Sequence, residues 1–375
     1  MTMARPLLFE ACPELAAEVD WMPLGDYPTP VARMAGLCGA EGIRDLYIKR
    51  DDLSSPHYGG NKVRKLEFIL ARAKARGCST VITYGAVGSN HVLATVVHGH
   101  RVGLETIALL APQPNAAYVR KNLLLDQAHG ARFAVATSMG AIPATLVKAL
   151  VSGFDVSRAK FPYIVPPGGS YIWGTLGYVD AALELKQQVE AGELPEPEFI
   201  FVTYGSGSTA AGLIAGVQLA GLESRVVAVR VVDEIACNRW ILGYHVNRAV
   251  SFLNRNCTGK RLRKVPPRET ILIDDFAGPT YACFTPEGMD AVRKARECDG
   301  IKLDGTYTGK TLAATLDFIE RNGLHRRPSL FWNTLSSADL YPQVASTDYH
   351  NLPPGLHHYF EEPLQEEQLG CEVVY

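Results

Sequence analysis

The feature that most restricts what this chain can fold into is a regular alternation of short β-branched runs with segments of helical periodicity. Residues 63–76 place Leu66, Ile69, Leu70 and Ala73 on one face of a helix, and Gly77 follows where a helix stop belongs. Thr80-Val81-Ile82-Thr83-Tyr84 then reads as a buried strand, and Ser89 or Asn90 as the cap of a helix carrying Val92, Val96 and Val97. The alternation continues with strands at 106–110, 131–135 and 163–165 and helices over 116–128 and 141–151. A second series runs through a helix over 174–190, a strand at 199–203, a helix over 209–220 and a strand at 226–232. Helices over 286–297 and 309–322 and a strand at 330–332 complete it. Strand–helix–strand repetition calls for parallel sheets with right-handed crossovers, flanked by helices.

At 375 residues, 47% of them hydrophobic, the chain can bury a large core, so its length fits two domains or one large one. A charged fraction of 20% excludes wholesale disorder. A net charge of −2 argues against an electrostatic nucleic-acid binder and gives no attraction to anionic membranes. No apolar run reaches the roughly 18 residues that span a bilayer, and the segment from Met1 to Pro13 does not read as a signal peptide, so a cytoplasmic enzyme is expected. The cysteines at 12, 38, 78, 237, 257, 283, 298 and 371 form no CxxC pair, which removes zinc-ligand spacing. They read as free, buried thiols, and no metal is expected. The stretch 237–268, with Arg255, Lys260, Arg261, Arg263 and Lys264, reads as an exposed helical excursion with a solvated basic face, a basic patch for a partner being the alternative.

Three loops sit where parallel α/β sheets hold ligands, between a strand end and a helix N-terminus. In Tyr204-Gly205-Ser206-Gly207-Ser208-Thr209, small residues let backbone N–H groups close around a phosphate at a helix start. The spacing is not that of a P-loop. A dinucleotide fingerprint also fails, because Gly207 is followed by Ala210 and then Gly212, and Asp233 lies far along for a ribose partner. A ligand-free turn remains the plain alternative. Tyr58-Gly59-Gly60-Asn61-Lys62 puts a lysine at a helix start, a poor place for a permanent cation but a useful one for an amine that must lose its proton. A solvated lysine is the alternative reading. In Gly85-Ala86-Val87-Gly88-Ser89-Asn90-His91, Ser89 and Asn90 could face a ligand or simply cap the helix.

Taken together, Lys49-Arg50-Asp51-Asp52-Leu53, Gly59 to Glu67 and Gly88-Ser89-Asn90-His91 resemble the 1-aminocyclopropane-1-carboxylate (ACC) deaminase / D-cysteine desulfhydrase family. Tyr27-Pro28-Thr29-Pro30, Pro166 to Ser170, Ala277 to Tyr281 and Asp304 to Lys310 are similar to its other motifs, so the resemblance spans residues 25 to 335. It implies pyridoxal phosphate (PLP) fold type II, the tryptophan-synthase-β-like architecture: two α/β domains, each with a mainly parallel sheet flanked by helices. The expected division is an inserted small domain over 63–175 and a large PLP-binding domain of 1–62 plus 176–375, with the cofactor between them. By the same resemblance Lys62 carries PLP as a Schiff base, Asn90 bonds its phenolic oxygen, and Gly205, Ser206, Gly207, Ser208 and Thr209 hold its phosphate. Ser89 contacts the substrate carboxylate or assists proton transfer, Tyr281 and Tyr307 flank the ring, and Thr308 and Thr334 complete the cofactor site. The implied substrate is a small amino acid, the implied partner a second copy in a homodimer.

Three positions depart from the family. Thr308 stands where ACC deaminases carry glutamate, Gly88 where glutamine is common, and Asn333-Thr334-Leu335-Ser336 where the family has His-Thr-Gly-Gly. Threonine at 308 favours D-cysteine-like α,β-elimination to keto acid, ammonia and sulfide over ACC ring opening. A PLP-binding protein without catalysis would lack the lysine, and a nucleotide binder would need an acidic ribose partner.

Overall fold

The computed structural model of the chain describes residues 5–235, 237–259 and 261–368; Lys260 of the basic stretch and Cys371 lie outside them. The strands are β1 (Val31–Arg33), β2 (Leu46–Lys49), β3 (Thr80–Ala86), β4 (Glu105–Ala111), β5 (Arg132–Val135), β6 (Tyr163–Val165), β7 (Phe199–Tyr204), β8 (Arg225–Arg230), β9 (Ile271–Ile273) and β10 (Ser329–Trp332). The longer helices are α1 (Lys62–Ala75), α2 (Asn90–Arg101), α3 (Ala117–Ala128), α4 (Ile142–Ser152), α5 (Ile172–Glu190), α6 (Ser208–Ala220), α7 (Arg239–Asn256), α8 (Pro286–Asp299) and α9 (Thr308–Arg321).

The chain divides into two units, one running to Phe68 and resuming over Ser170–Ser337, the other formed by Ile69–Gly169 and the segment from Ala338. The division expected from the sequence puts that last segment in the larger domain; it groups instead with the smaller one. Each unit has its own sheet. The larger has strand order β1-β2-β10-β7-β8-β9, parallel except for the antiparallel β1–β2 pair, and the smaller has β5-β4-β3-β6, parallel throughout.

In the larger unit β7 is buried on both faces, as a central parallel strand must be when helices cover both sides of its sheet. Ile200, Val202 and Tyr204 share a core with Leu176 and Val179 of α5 and Leu213 of α6. The alternate residues Phe199 and Phe201 pack edge-on against Phe318 of α9, with ring centroids 5.3 and 5.4 Å apart. The smaller unit's core gathers Ile82, Ile107 and Leu109 under Ala149 of α4.

Three strands escape the sequence pattern. β1 and β9 are three-residue strands at the sheet edges, too short to show a period. β2 ends in Lys49, whose charge reads as exposure, yet the side chain is wholly buried. Its ammonium bonds the Thr29 carbonyl at 2.6 Å, Glu184 Oε1 at 2.5 Å and Gln188 Oε1. Two further expectations are corrected. Cys12 and Cys257 are not free thiols but form a disulfide, 245 residues apart in sequence with Cα atoms 5.2 Å apart. Residues 237–268 are not simply an exposed excursion: α7 buries Leu242, Val246, Ala249, Val250 and Leu253 in the main core. The described basic residues Arg255, Arg261, Arg263 and Lys264 do lie in solvent. No helix among the described residues is long and apolar enough to cross a membrane.

Candidate cofactor site

Lys62 is the first residue of α1, and the turn before it is pinned on several sides. Gly60 has φ +86°, and a Cβ there would stand 2.7 Å from the Thr334 carbonyl oxygen and 2.9 Å from that of Leu335, so only glycine fits. Gly60 N–H donates to the Asp51 carbonyl (2.8 Å) and Asn61 N–H to the Thr334 carbonyl (3.1 Å). Gly59 N–H donates to Ser336 Oγ at 2.9 Å. Asn61 Nδ2 reaches across to Thr209 Oγ1 at 3.0 Å, so the lysine turn and the 205–209 loop touch directly.

The Lys62 side chain is half-buried. Loss of hydration disfavours its ammonium form and pushes its pKa down to about 8, against the opposing pull of the Asp304 carboxylate. An amine with that pKa is free base often enough near neutral pH to act as nucleophile or base. Asp304 accepts the N–H groups of Thr306 (2.9 Å) and Tyr307 (2.5 Å) and the hydroxyl of Thr308 (3.0 Å), which ties off the start of α9. Thr308 Oγ1 also accepts the Asp304 N–H at 2.9 Å. Its one proton is therefore committed within the protein. Nearby in sequence, Lys65 is buried and held well below its usual pKa, by burial first and the Lys62 charge second.

The 205–209 loop follows β7 and opens α6. Gly207, the N-cap, has φ +104°, and a Cβ there would come 3.0 Å from the His245 ring. The N-cap glycine has no side chain to satisfy the first turn, so its N–H groups are left to other acceptors. Ser170 Oγ lies 2.7 Å from Ser206 Oγ and 3.1 Å from Ser208 Oγ and accepts the Ser208 N–H at 3.3 Å. The Cys237 thiol donates to the Gly205 carbonyl, and burial pushes its pKa up to about 12, so it is a packed thiol rather than a nucleophile. Gly205 is open toward Tyr307, whose Cε1 would be 3.9 Å from a Cβ there. The Tyr307 and Tyr281 hydroxyls are hydrogen-bonded to each other, with ring centroids 6.2 Å apart at 63°.

Of the residues expected from the sequence, Lys62, Gly205 to Thr209, Tyr281, Tyr307, Thr308 and Thr334 belong to the larger unit, which gathers them through these contacts. Ser89 and Asn90 belong to the smaller unit. There Ser89 caps α2, its Oγ accepting the N–H groups of His91 (3.3 Å) and Val92 (3.4 Å). Asn90 is half exposed. Sequence reasoning misses Asp304, Asn61 and Ser170 as site residues. Ser170 ends the Pro166 to Ser170 motif, but nothing local to it shows that it meets a loop thirty-six residues on.

A lysine whose pKa burial lowers, joined through Asn61 to a serine- and glycine-built helix start, is an arrangement that could take an aldehyde cofactor carrying a phosphate in an enzyme of the α/β class. A family model described as pyridoxal-phosphate dependent enzyme matches residues 22–334. The chain belongs to this family, and its two mainly parallel sheets give it the fold type II architecture, on the branch of the ACC deaminase homologues. It is similar to a crystal structure of an ACC deaminase homologue at 30% identity and TM-score 0.74, over 89% of this chain and 96% of that one. A processed threonine deaminase isoform from Solanum lycopersicum shares the fold at 12% identity and TM-score 0.59, over 92% and 90% of the two chains. A fungal L-serine ammonia-lyase from Rhizomucor miehei shares it at 16% identity and TM-score 0.58, over 87% and 98%.

Proposed function

We propose that the protein is a PLP-dependent lyase that removes a β-leaving group from a small amino acid, D-cysteine first among candidates, to yield keto acid, ammonia and sulfide. The carrying observation is the placement of Lys62: its neighbour Asn61 bonds the loop that would take the cofactor's phosphate, and burial pushes the pKa of its amine down to about 8. When bound, PLP supplies an electron sink for the charge left on the substrate α-carbon. Lys62 Nζ accepts the α-proton. The backbone N–H groups of 205–209, with the Ser206, Ser208 and Thr209 hydroxyls, take the phosphate, and Asn90 the phenolic oxygen. Ser89 takes the substrate carboxylate. The Tyr281–Tyr307 pair can pass a proton along its hydrogen bond to a departing thiolate. Thr308 brings no carboxyl to the site, and its proton is held by Asp304, which supports elimination over ring opening.

The test is an assay of the holoenzyme with D-cysteine, L-cysteine, D-serine and ACC, scoring sulfide, ammonia and keto acid. Sulfide from D-cysteine at the highest kcat/KM is expected. Formation of 2-oxobutyrate from ACC without sulfide from D-cysteine would reverse the assignment in favour of ring opening. Bound-cofactor absorbance that survives Lys62→Ala would remove the lysine from its role.

A further inference from the structure

Gly88 presents both of its backbone polar groups to side chains of the same unit. Its N–H donates to Gln113 Oε1 at 3.0 Å, and its carbonyl accepts Asn122 Nδ2 at 2.9 Å. Gln113 is itself fixed: Nε2 donates to Tyr118 Oη at 2.8 Å, and its backbone N–H and carbonyl both meet the Tyr359 hydroxyl, at 3.2 and 3.3 Å. A side chain at position 88 has no room, since a Cβ would meet Tyr118 at 2.6 Å and Val119 at 2.8 Å. The peptide that precedes Ser89-Asn90 is thus held at donor and acceptor alike.

The Asn122 amide carries a second consequence. A backbone carbonyl only accepts, so the atom of Asn122 facing Gly88 O must be nitrogen. That same nitrogen lies 3.1 Å from Asn90, and the Asn90 atom facing it must therefore be oxygen. One unambiguous acceptor orients two amides in series. Asn90 is left with its NH2 group turned away from Asn122. Asn122 is 1% exposed, so water does not compete for its protons, whereas Asn90 is half exposed.

We propose that Asn122 is a positioning residue for the cofactor: by holding Asn90 Oδ1, it makes Asn90 present N–H donors, and not an acceptor, to the phenolic oxygen of PLP. This rests on the reading of Asn90 as a cofactor contact. An acceptor in that place would repel a phenolate, while a donor stabilises it.

The test is a double-mutant cycle on the full chain with Asn90→Ala and Asn122→Asp, read as the PLP dissociation constant and the pH-dependence of the bound cofactor's visible absorbance. A carboxylate in place of the Asn122 amide cannot donate to Gly88 O and would draw the Asn90 amide round. Asn122→Asp is expected to raise the dissociation constant about tenfold and shift the absorbance titration upward. In the Asn90→Ala background the same substitution should move both readouts far less, because the larger part of its effect on the cofactor passes through Asn90. Should the aspartate prevent folding, Asn122→Ala, checked by the melting temperature of the cofactor-free chain, should weaken PLP several-fold with the same non-additivity. Fully additive effects, or unchanged affinity and absorbance in a folded Asn122 variant, would overturn the assignment. If Asn90→Ala alone leaves both readouts unmoved, it is the cofactor contact of Asn90 that fails, and the role of Asn122 fails with it.

Discussion

Arg64 and Glu184 face each other in a two-pronged ion pair, Nη1 to Oε2 at 3.0 Å and Nη2 to Oε1 at 2.8 Å, with both side chains almost wholly buried. The pair is the middle of a larger network. Arg64 also grips Asp51, whose carboxylate accepts from Tyr178 Oη (2.6 Å) and Trp332 Nε1 (2.8 Å), and Glu184 holds Lys49. Two cations and two anions leave no net charge inside. Burial alone would raise the Asp51 pKa, but Arg64, Lys49 and the Tyr178 hydroxyl together keep the carboxyl below its ordinary value. Arg64 lies two residues beyond Lys62 on α1, so the network fixes the helix turn that carries Lys62.

Glu184→Gln should therefore be costly. It strips Lys49 and Arg64 of a shared counter-ion while both remain buried, and a destabilisation of about 3–5 kcal/mol is expected. Urea unfolding of the cofactor-free chain measures it. A loss below about 1 kcal/mol would mean that water reaches the network.

The Lys62 amine should titrate near pH 8 in the folded chain, against an ordinary value of 10.5. The rate of PLP capture by the cofactor-free protein should rise with pH through about 8 and then level. Asp304→Asn removes the carboxylate that favours the ammonium form, so it should move this midpoint lower. Folding stability follows the same linkage. Between about 8 and 10.5 the folded chain binds fewer protons at this site than the unfolded one, so the Lys62 contribution to stability rises with pH in that window and is lost as pH falls through 8. Lys62→Met should flatten that slope.

Gly60→Ala places a side chain where φ is +86° and two backbone oxygens stand within 3 Å. The conformational cost alone is about 1–2 kcal/mol. Because the displaced turn is the one holding Lys62, the variant should both melt at a lower temperature and release PLP on dialysis. Retention of cofactor with only a lowered melting temperature would separate the turn from the site.

Tyr281→Phe and Tyr307→Phe each break the hydroxyl pair. If the pair passes a proton to the leaving group, each should lower kcat by about 10²-fold. The double variant should be scarcely worse than either single one. Equal losses with 3-chloro-D-alanine, whose leaving group needs no proton, would argue for a packing role instead.

The Cys12–Cys257 disulfide closes a loop of 245 residues. Alkylation of the denatured chain should consume two more equivalents after reduction than before. The Cys12→Ser variant should lose about 2–4 kcal/mol of stability. Equal alkylation before and after reduction would show both thiols free.

What the amino-acid order determined by itself is the set of long elements and the lysine turn. Periodicity marks the apolar face of α1, and a lysine and small residues just before helix starts mark the candidate loops, because both signals depend only on neighbours along the chain. Only the tertiary structure decided that Lys49 is buried instead of solvated, that Cys12 finds Cys257, that Ser170 meets Ser206, that Asp304 faces Lys62, and that Asn122 orients Asn90. A charged or amide side chain carries the same local signature whether water or a distant partner satisfies it. Which of the two it meets is fixed when remote segments are packed together, and the energy of that choice is not written in any window of sequence.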